Sequence, residues 1–553
     1  MQGKTLDRLV AMLSVHKRYQ ICLLILLGFN YLPLVFNHVV MAFFKGLPPY
    51  TCQVASPPDS ANVSRYLNET VFEERGDKCT TKLYLETGEN ITVKCRPGQF
   101  QYNPSRGEKT IVSEWDLVCD NKHLANLATT IYFSGVMTGG LLFGYLSDLV
   151  GRRPVLLVTL YAPVVVGVAI AFAPSYLIFV LLRFVQGVLM QGLQTSSYVL
   201  AMEFFLPAQR PLVGCVMECF WGVTVVILPG LAYALPNWRH LQIAISVPSV
   251  LALFYICVIP ESLRWLILKC RMDDAKHLVT KISSFNRLCF PKEVWEVVHT
   301  EAEQSAKSPR YHFLHLFKTE RLRRRSLVLF YLWLTIATGY FGLTFNITSL
   351  PGDKYVNFCI SGCVELAHYA LSIWVMNKFG RKKPLLVCFL SAGVCCIIAA
   401  SIPRSTAAAD LHLKHISTAF AIIGRFFMAG LFSVIFVYTT ELYPTVIRNI
   451  GMGSCLFWAR LGGVIAPQIN ELGSGSAVLV PIMVFGCMML LGGALLLLLP
   501  ETHGKKLPDL ISDVENPQSD DDTILGPVPY AEQELLAKVD DVPNGREENG
   551  TTI

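Results

Sequence analysis

Long apolar runs alternate with short polar joints along this chain, and twelve of the runs reach about 20 residues, enough to cross a bilayer as a helix. They fall near 20–44, 124–147, 153–174, 176–202, 210–233, 238–260, 326–349, 355–377, 384–403, 413–440, 448–470 and 476–500. The expected fold is therefore an all-α membrane protein with 12 transmembrane helices. The polar intervals divide it further. A short N-terminus, 1–19, precedes the first span, and a polar loop, 45–123, separates the first two. A linker, 261–325, splits the spans six and six, and a polar tail, 501–553, ends the chain.

The 45–123 loop carries N-x-S/T acceptor sites at Asn62, Asn68 and Asn90, together with Cys52, Cys79, Cys95 and Cys119. An even number of cysteines beside glycan sites predicts a disulfide-stapled loop in an oxidising compartment, with three pairings open. Positive charge agrees with that sidedness. Arg152, Arg153, Arg210, Lys378, Arg381, Lys382, Lys383 and Arg448 fall in the joints opposite the loop, as does the run Arg321, Arg323, Arg324 and Arg325. By the positive-inside rule both termini are expected in the cytosol of a multi-pass plasma-membrane protein.

Composition narrows the class. Of 553 residues, 52% are hydrophobic and 16% charged, with a mean hydropathy of +0.44. Soluble chains hold about 25% charged residues, so the deficit matches the spans. The net charge of +6 gives no basis for nucleic-acid binding. No P-loop, nucleophile elbow or H-E-x-x-H occurs, and the cysteines show no metal-like spacing, so neither an enzyme nor an ATP-driven pump is expected.

The chain also repeats itself. EFFLPAQR (Glu203–Arg210) returns as ELYPTVIR (Glu441–Arg448), Pro260-Glu261-Ser262 as Pro500-Glu501-Thr502, and Arg183 as Arg425. Gly151-Arg152-Arg153-Pro154 returns as Gly380-Arg381-Lys382-Lys383-Pro384. Two pseudo-symmetric six-helix bundles, 20–260 and 326–500, are the expected arrangement, rocking about a site between them.

GYLSDLVGRR (Gly144–Arg153) resembles the signature between spans two and three of the major facilitator superfamily. EWDLVC (Glu114–Cys119), NWRHLQ (Asn237–Gln242), PESLRWL (Pro260–Leu266), ELYPTVIRN (Glu441–Asn449) and PETHGKKLP (Pro500–Pro508) resemble solute carrier family 22. That family holds the organic cation, organic anion and carnitine transporters. The resemblance implies a major facilitator fold and transport of small organic ions by alternating access. Gating is expected of Asp148, Gly151, Arg152 and Arg153, and of the repeated Glu203, Arg210, Glu441 and Arg448. Asn377 replaces the aspartate in the second half, so the clamp there is weaker or differently made. Four loop cysteines, where the cation branch generally has six, argue against placing the chain in that branch.

Ionisable residues deep in a span are costly and point to function. Glu365 in span eight and Arg460 in span eleven resemble the carnitine-type arrangement, where a guanidinium takes a carboxylate by two hydrogen bonds and a carboxylate faces a quaternary ammonium. Alternatively the two neutralise each other. His368 follows Glu365 by one turn, as packed core or as a tuner of its charge. Arg183 and Arg425 are expected to order their bundles by bonding facing carbonyls. Glu218 is a further cation contact, and Tyr340, Phe457, Tyr438 and Trp221 are aromatic candidates for organic-ion recognition.

The expected cargo is a carnitine-like zwitterion or organic cation, with organic anions as the alternative. A transport-incompetent receptor on the same fold is the alternative of another class. No cofactor is implied; sodium or proton coupling fits the fold and leaves no motif. The tail is rich in Asp, Glu, Pro and Asn, as disordered segments are. It ends Thr551-Thr552-Ile553, the T-x-Φ form of a ligand for a PDZ-domain protein. The sequon at Asn549 lies on the cytosolic side and is expected to be unused.

Overall fold

A computed structural model describes residues 4–13, 17–52, 72–74, 79–84, 90–104, 106–206, 209–288, 312–402, 411–473, 480–505, 508 and 511–515. The first span, α1 (Arg18–Phe44), is interrupted near Asn30 and Val40. Then come α2 (Lys122–Val150), α3 (Arg152–Ala171), α4 (Tyr176–Glu203), α5 (Arg210–Ala234) and α6 (Trp238–Val258). The second half holds α7 (Glu320–Asn346), α8 (Lys354–Phe379), α9 (Lys382–Ser401), α10 (Leu411–Leu442), α11 (Arg448–Glu471) and α12 (Val480–Leu496). Among the described residues, ten helices are long and apolar enough to cross a membrane. The other two are α8, which carries Asn357, Glu365 and His368 within its length, and the 17-residue α12.

Local chemistry sets several boundaries. Ser175 and Asp353 cap α4 and α8 with side-chain oxygens, satisfying amides that have no intrahelical partner. The middle of α6 tightens into a 3-10 segment, Val247–Phe254, where Pro248 withholds an amide. Helix α7 starts six residues before the expected span, so Arg321, Arg323, Arg324 and Arg325 form its first turns. Gly135 and Gly187 allow α2 and α4 to cross backbone to backbone, since a Cβ at either would strike a carbonyl of the other helix.

The 45–123 loop holds strands the hydropathy pattern does not announce. β1 (Tyr50–Cys52) pairs antiparallel with β5 (Phe100–Tyr102), and β2 (Phe72–Glu74), β3 (Thr80–Tyr84) and β4 (Asn90–Lys94) form a second small sheet. Of the three pairings left open, the structure has Cys52–Cys95 and Cys79–Cys119. Asn90 opens β4, while Asn62, Asn68 and Thr551–Ile553 lie outside the described residues. In the linker, whose MDDAKHLVTKISSF and KEVWEVVHTEAEQ patterns predict short helices, Leu263–Leu268 and Met272–Asn286 are helical, and 292–304 lies outside the described residues.

The sequence repeat is a structural repeat. Gly151 and Gly380 both turn the chain with positive φ, 118° and 83°, before α3 and α9. Glu261, just past α6, accepts from the backbone amides of Arg152 and Arg153 at 2.8 and 3.3 Å. Glu501, just past α12, accepts from those of Arg381 and Lys382, each at 3.1 Å. A carboxylate at a helix N-terminus gains both hydrogen bonds and the favourable end of the helix dipole. Arg152 pairs with Glu203 at 3.2 Å, and Arg381 with Glu441 at 3.0 Å. The halves differ where the sequence differs. Arg152 also pairs with Asp148 at 2.8 Å, whereas Arg381 lies 2.5 Å from His503 Nδ1.

The halves meet along α2 with α11 and α5 with α8. At the disulfide-loop end they are bridged by charge. Glu108 of the loop holds Lys354 at 2.5 Å and accepts from the Tyr355 hydroxyl at 2.9 Å. Lys45 donates to Asn126 at 3.0 Å, and Asn126 donates to Glu471.

Burial works to raise the Glu501 carboxyl, yet the amides of Arg381, His503, Thr502 and Lys382 outweigh it and hold the group below the ordinary carboxylate value. Its contribution to stability is therefore present above that ordinary value and lost as pH falls through the lowered one. Glu501→Gln is expected to destabilise the protein by about 1 kcal/mol, as loss of a helix cap does. Thermal unfolding in detergent from pH 7 down to about pH 3 should show the parent converging on the variant only below the ordinary carboxylate value.

Candidate functional site

The deepest charges form two groups. In the second half Glu365 of α8 is 0% exposed, and both its oxygens are taken. Oε2 accepts from Arg425 of α10 at 2.8 Å, and Oε1 accepts from the hydroxyls of Tyr340 (α7) and Tyr369 at 2.6 and 2.7 Å. Arg425, 1% exposed, also donates to the Tyr340 carbonyl at 3.3 Å and to the Thr344 hydroxyl. Its guanidinium lies 4.5 Å from the centre of the Tyr340 ring. The partner of Glu365 is thus Arg425, not Arg460, because α8 and α10 pack side by side within one bundle. The expectation that Glu365 and Arg460 neutralise each other gives way to this pair.

One hydrogen bond ties the first half to that cluster. The Trp221 indole of α5 donates to the Tyr340 hydroxyl at 2.6 Å. Trp221 also lies edge-on to His38 of α1, 5.8 Å between ring centres. His38 Nδ1 is 3.0 Å from both the Leu34 carbonyl and the Tyr132 hydroxyl. Arg183, 0% exposed, lies over the Tyr132 ring at 4.2 Å and donates to the Asn37 carbonyl at 3.1 Å and to Gln186 at 2.7 Å. Arg183 and Arg425 both bond a facing carbonyl; Arg425 alone has a carboxylate.

The second group faces the junction of the halves. Arg460 of α11 reaches across to α4 and donates to Gln194 at 2.7 Å. Among the described residues no carboxylate lies within ion-pair distance of it. Glu218 of α5 lies within electrostatic range of Arg460 and Glu365.

The remaining candidates lie elsewhere. The Tyr438 hydroxyl donates to the Pro500 carbonyl at 2.6 Å, near the end of α10 remote from the disulfide loop, so the structure separates it from the central charges. Phe457 is half-buried beside Trp458. His368 is buried against Phe426, 4.6 Å between ring centres. Glu203 and Glu441 pair with Arg152 and Arg381, Arg448 bonds the Tyr443 carbonyl at 3.3 Å, and Arg210 opens α5. Tyr369 and Gln194, absent from the sequence-level candidates, are central here. Tyr369 follows Glu365 by four residues, a spacing that stacks side chains on one helix face.

Breaking the buried pair on one side leaves an uncompensated charge, costing about 3–5 kcal/mol. Arg425→Gln and Glu365→Gln are each expected to lose most folded, membrane-extracted protein. The double variant should recover part of it, read by yield from detergent extracts and by thermal unfolding of purified protein.

Residues 66–511 match the family described as sugar (and other) transporter. The chain is 32% identical to a Drosophila melanogaster organic cation transporter protein, covering 87% of this chain and 89% of that one. It is 34% identical to human solute carrier family 22 member 13, covering 83% and 79%. It is 30% identical to pig organic anion transporter 3, covering 90% and 91%. The proton:xylose symporter XylE, bound to a bromo-deoxyglucose, superposes with a TM-score of 0.60 at 15% identity, covering 89% of this chain and 98% of that one, which shows the shared fold. Twelve helices in two repeated halves, the capped signature turns and these relatives agree: the chain belongs to solute carrier family 22 of the major facilitator superfamily.

Proposed function

We propose that this protein carries small organic ions across the plasma membrane by alternating access, with carnitine-like zwitterions and organic cations as cargo. The observation that carries this reading is Arg460. It is a mid-span guanidinium on the junction between halves, bonded to the neutral amide of Gln194. A carboxylate on the cargo offers that guanidinium two hydrogen bonds to a charged acceptor in place of one to a neutral acceptor. Because Gln194 belongs to the opposite half, cargo binding at Arg460 would loosen a contact between halves. Differential binding of that kind shifts an equilibrium between conformations. The clusters around Arg152 and Arg381 are the proposed gates at the other end. Sodium or proton coupling is compatible with this cycle, and uptake under imposed ion gradients reports it.

Organic anions are the second reading, favoured by a charge count. Three deep arginines (Arg183, Arg425, Arg460) stand against two carboxylates (Glu218, Glu365). In either case the disulfide loop is placed outside and both termini in the cytosol, where Thr551–Ile553 would be available to a PDZ domain.

Arg460→Ala is expected to lower uptake of carboxylate-bearing substrates about tenfold or more at equal surface level, as truncating one member of a buried charge pair does. Arg460→Lys should restore only part, since a point charge lacks the two-pronged geometry. Unchanged carnitine uptake by the alanine variant would rule out this site. Sidedness has its own test: combined Asn62, Asn68 and Asn90→Gln should abolish the glycosidase-sensitive mobility shift, and Asn549→Gln should leave it intact.

A further inference from the structure

Helix α5 meets the second half along one face. Cys215 Sγ lies 3.9 Å from Ser372 Oγ, Trp221 bonds Tyr340, and a Cβ on Gly222 would stand 3.3 Å from Leu366. Glu218 follows Cys215 by three residues and precedes Gly222 by four, so helical spacing sets it on that same face. It lies eight residues (218 − 210) beyond Arg210, roughly 12 Å along the helix axis. The side chain is half-buried, and among the described residues it has no hydrogen-bond or ion-pair partner. Its charged neighbours are Glu365 and Arg460, and the phenols of Tyr31 and Tyr198 lie in its field. Tyr198 in turn faces Phe436 of the second half, 6.0 Å between ring centres.

Glu365 and Glu218 therefore differ in what they can accept. Glu365 is saturated by one guanidinium and two phenols, and displacing the guanidinium with a ligand would strand a buried arginine. Glu218 is a carboxylate at the junction of the halves with no hydrogen-bond or ion-pair partner among the described residues. A permanent partnerless charge at that depth is costly; a cation that arrives and leaves meets it only when bound.

We infer that Glu218, rather than Glu365, receives the cationic pole of the cargo, an ammonium or quaternary ammonium group, while Arg460 receives a carboxylate. This rests on the organic-ion reading and assigns its second pole. Arg460 and Glu218 lie within electrostatic range of each other with no ion pair between them, the relation that the two poles of one zwitterion require.

The test is uptake of three labelled probes at equal surface level: tetraethylammonium, L-carnitine and p-aminohippurate. Glu218→Gln is expected to lower tetraethylammonium and carnitine uptake about tenfold, with p-aminohippurate uptake unchanged or raised. An equal loss for all three, or no loss for the first two, overturns the inference. If the Gln variant does not reach the membrane, Glu218→Asp replaces it. That variant keeps the charge and retracts it, so the expected result is a raised KM for the two cationic probes alone, and an equal change for all three overturns the inference. Failure of the parent protein to carry any of the three probes would instead overturn the organic-ion reading itself.

Discussion

Inside hydrocarbon a charge must be met by protein, because no water is there to meet it. The buried Arg425–Glu365 pair satisfies that demand with three donors converging on one carboxylate, drawn from α7, α8 and α10. Much else follows from it. Tyr340 is held by its hydroxyl, its carbonyl and its ring, so α7 is fixed to the cluster, and Trp221 reads the position of that hydroxyl from the other half. With Arg425 and Glu365 spent on each other, the deep charges of the second half left without an ion-pair partner reduce to Arg460 at the junction, among the described residues.

The two halves solve the same problem differently. Arg183 sits where Arg425 sits in the repeat, but it is met by a carbonyl, an amide and the face of Tyr132. A delocalised guanidinium tolerates that environment better than an ammonium would. At this repeated position the first half thus keeps a guanidinium without a carboxylate partner, and the second half keeps a neutral pair.

Much of the fold was legible because the bilayer imposes a length and the repeat imposes a partition. The apolar runs marked the spans, and the paired P-E-[ST] and G-R elements marked equivalent places before any contact was known. What remained hidden was which helix faces which. The second half has two mid-span arginines, Arg425 and Arg460, and one mid-span carboxylate, Glu365, and hydropathy has no term that chooses between them. Tyr438 shows the same gap: its place in a span was readable, while its bond to Pro500 at the helix end was not. The small sheets of the loop were hidden for another reason. Their strands are three to five residues long and held by disulfides, so no sustained alternation betrays them.

The carboxylates that follow the sixth and twelfth spans, Glu261 and Glu501, have a mechanical meaning. Each returns to the start of the third helix of its own half and fastens there through main-chain amides. Each bundle's trailing end is in this way buckled to the start of its third helix. The chain continues directly from the first buckle into the linker and from the second into the tail. A pull on either segment is therefore delivered to the start of the third helix as well as to the end of the last.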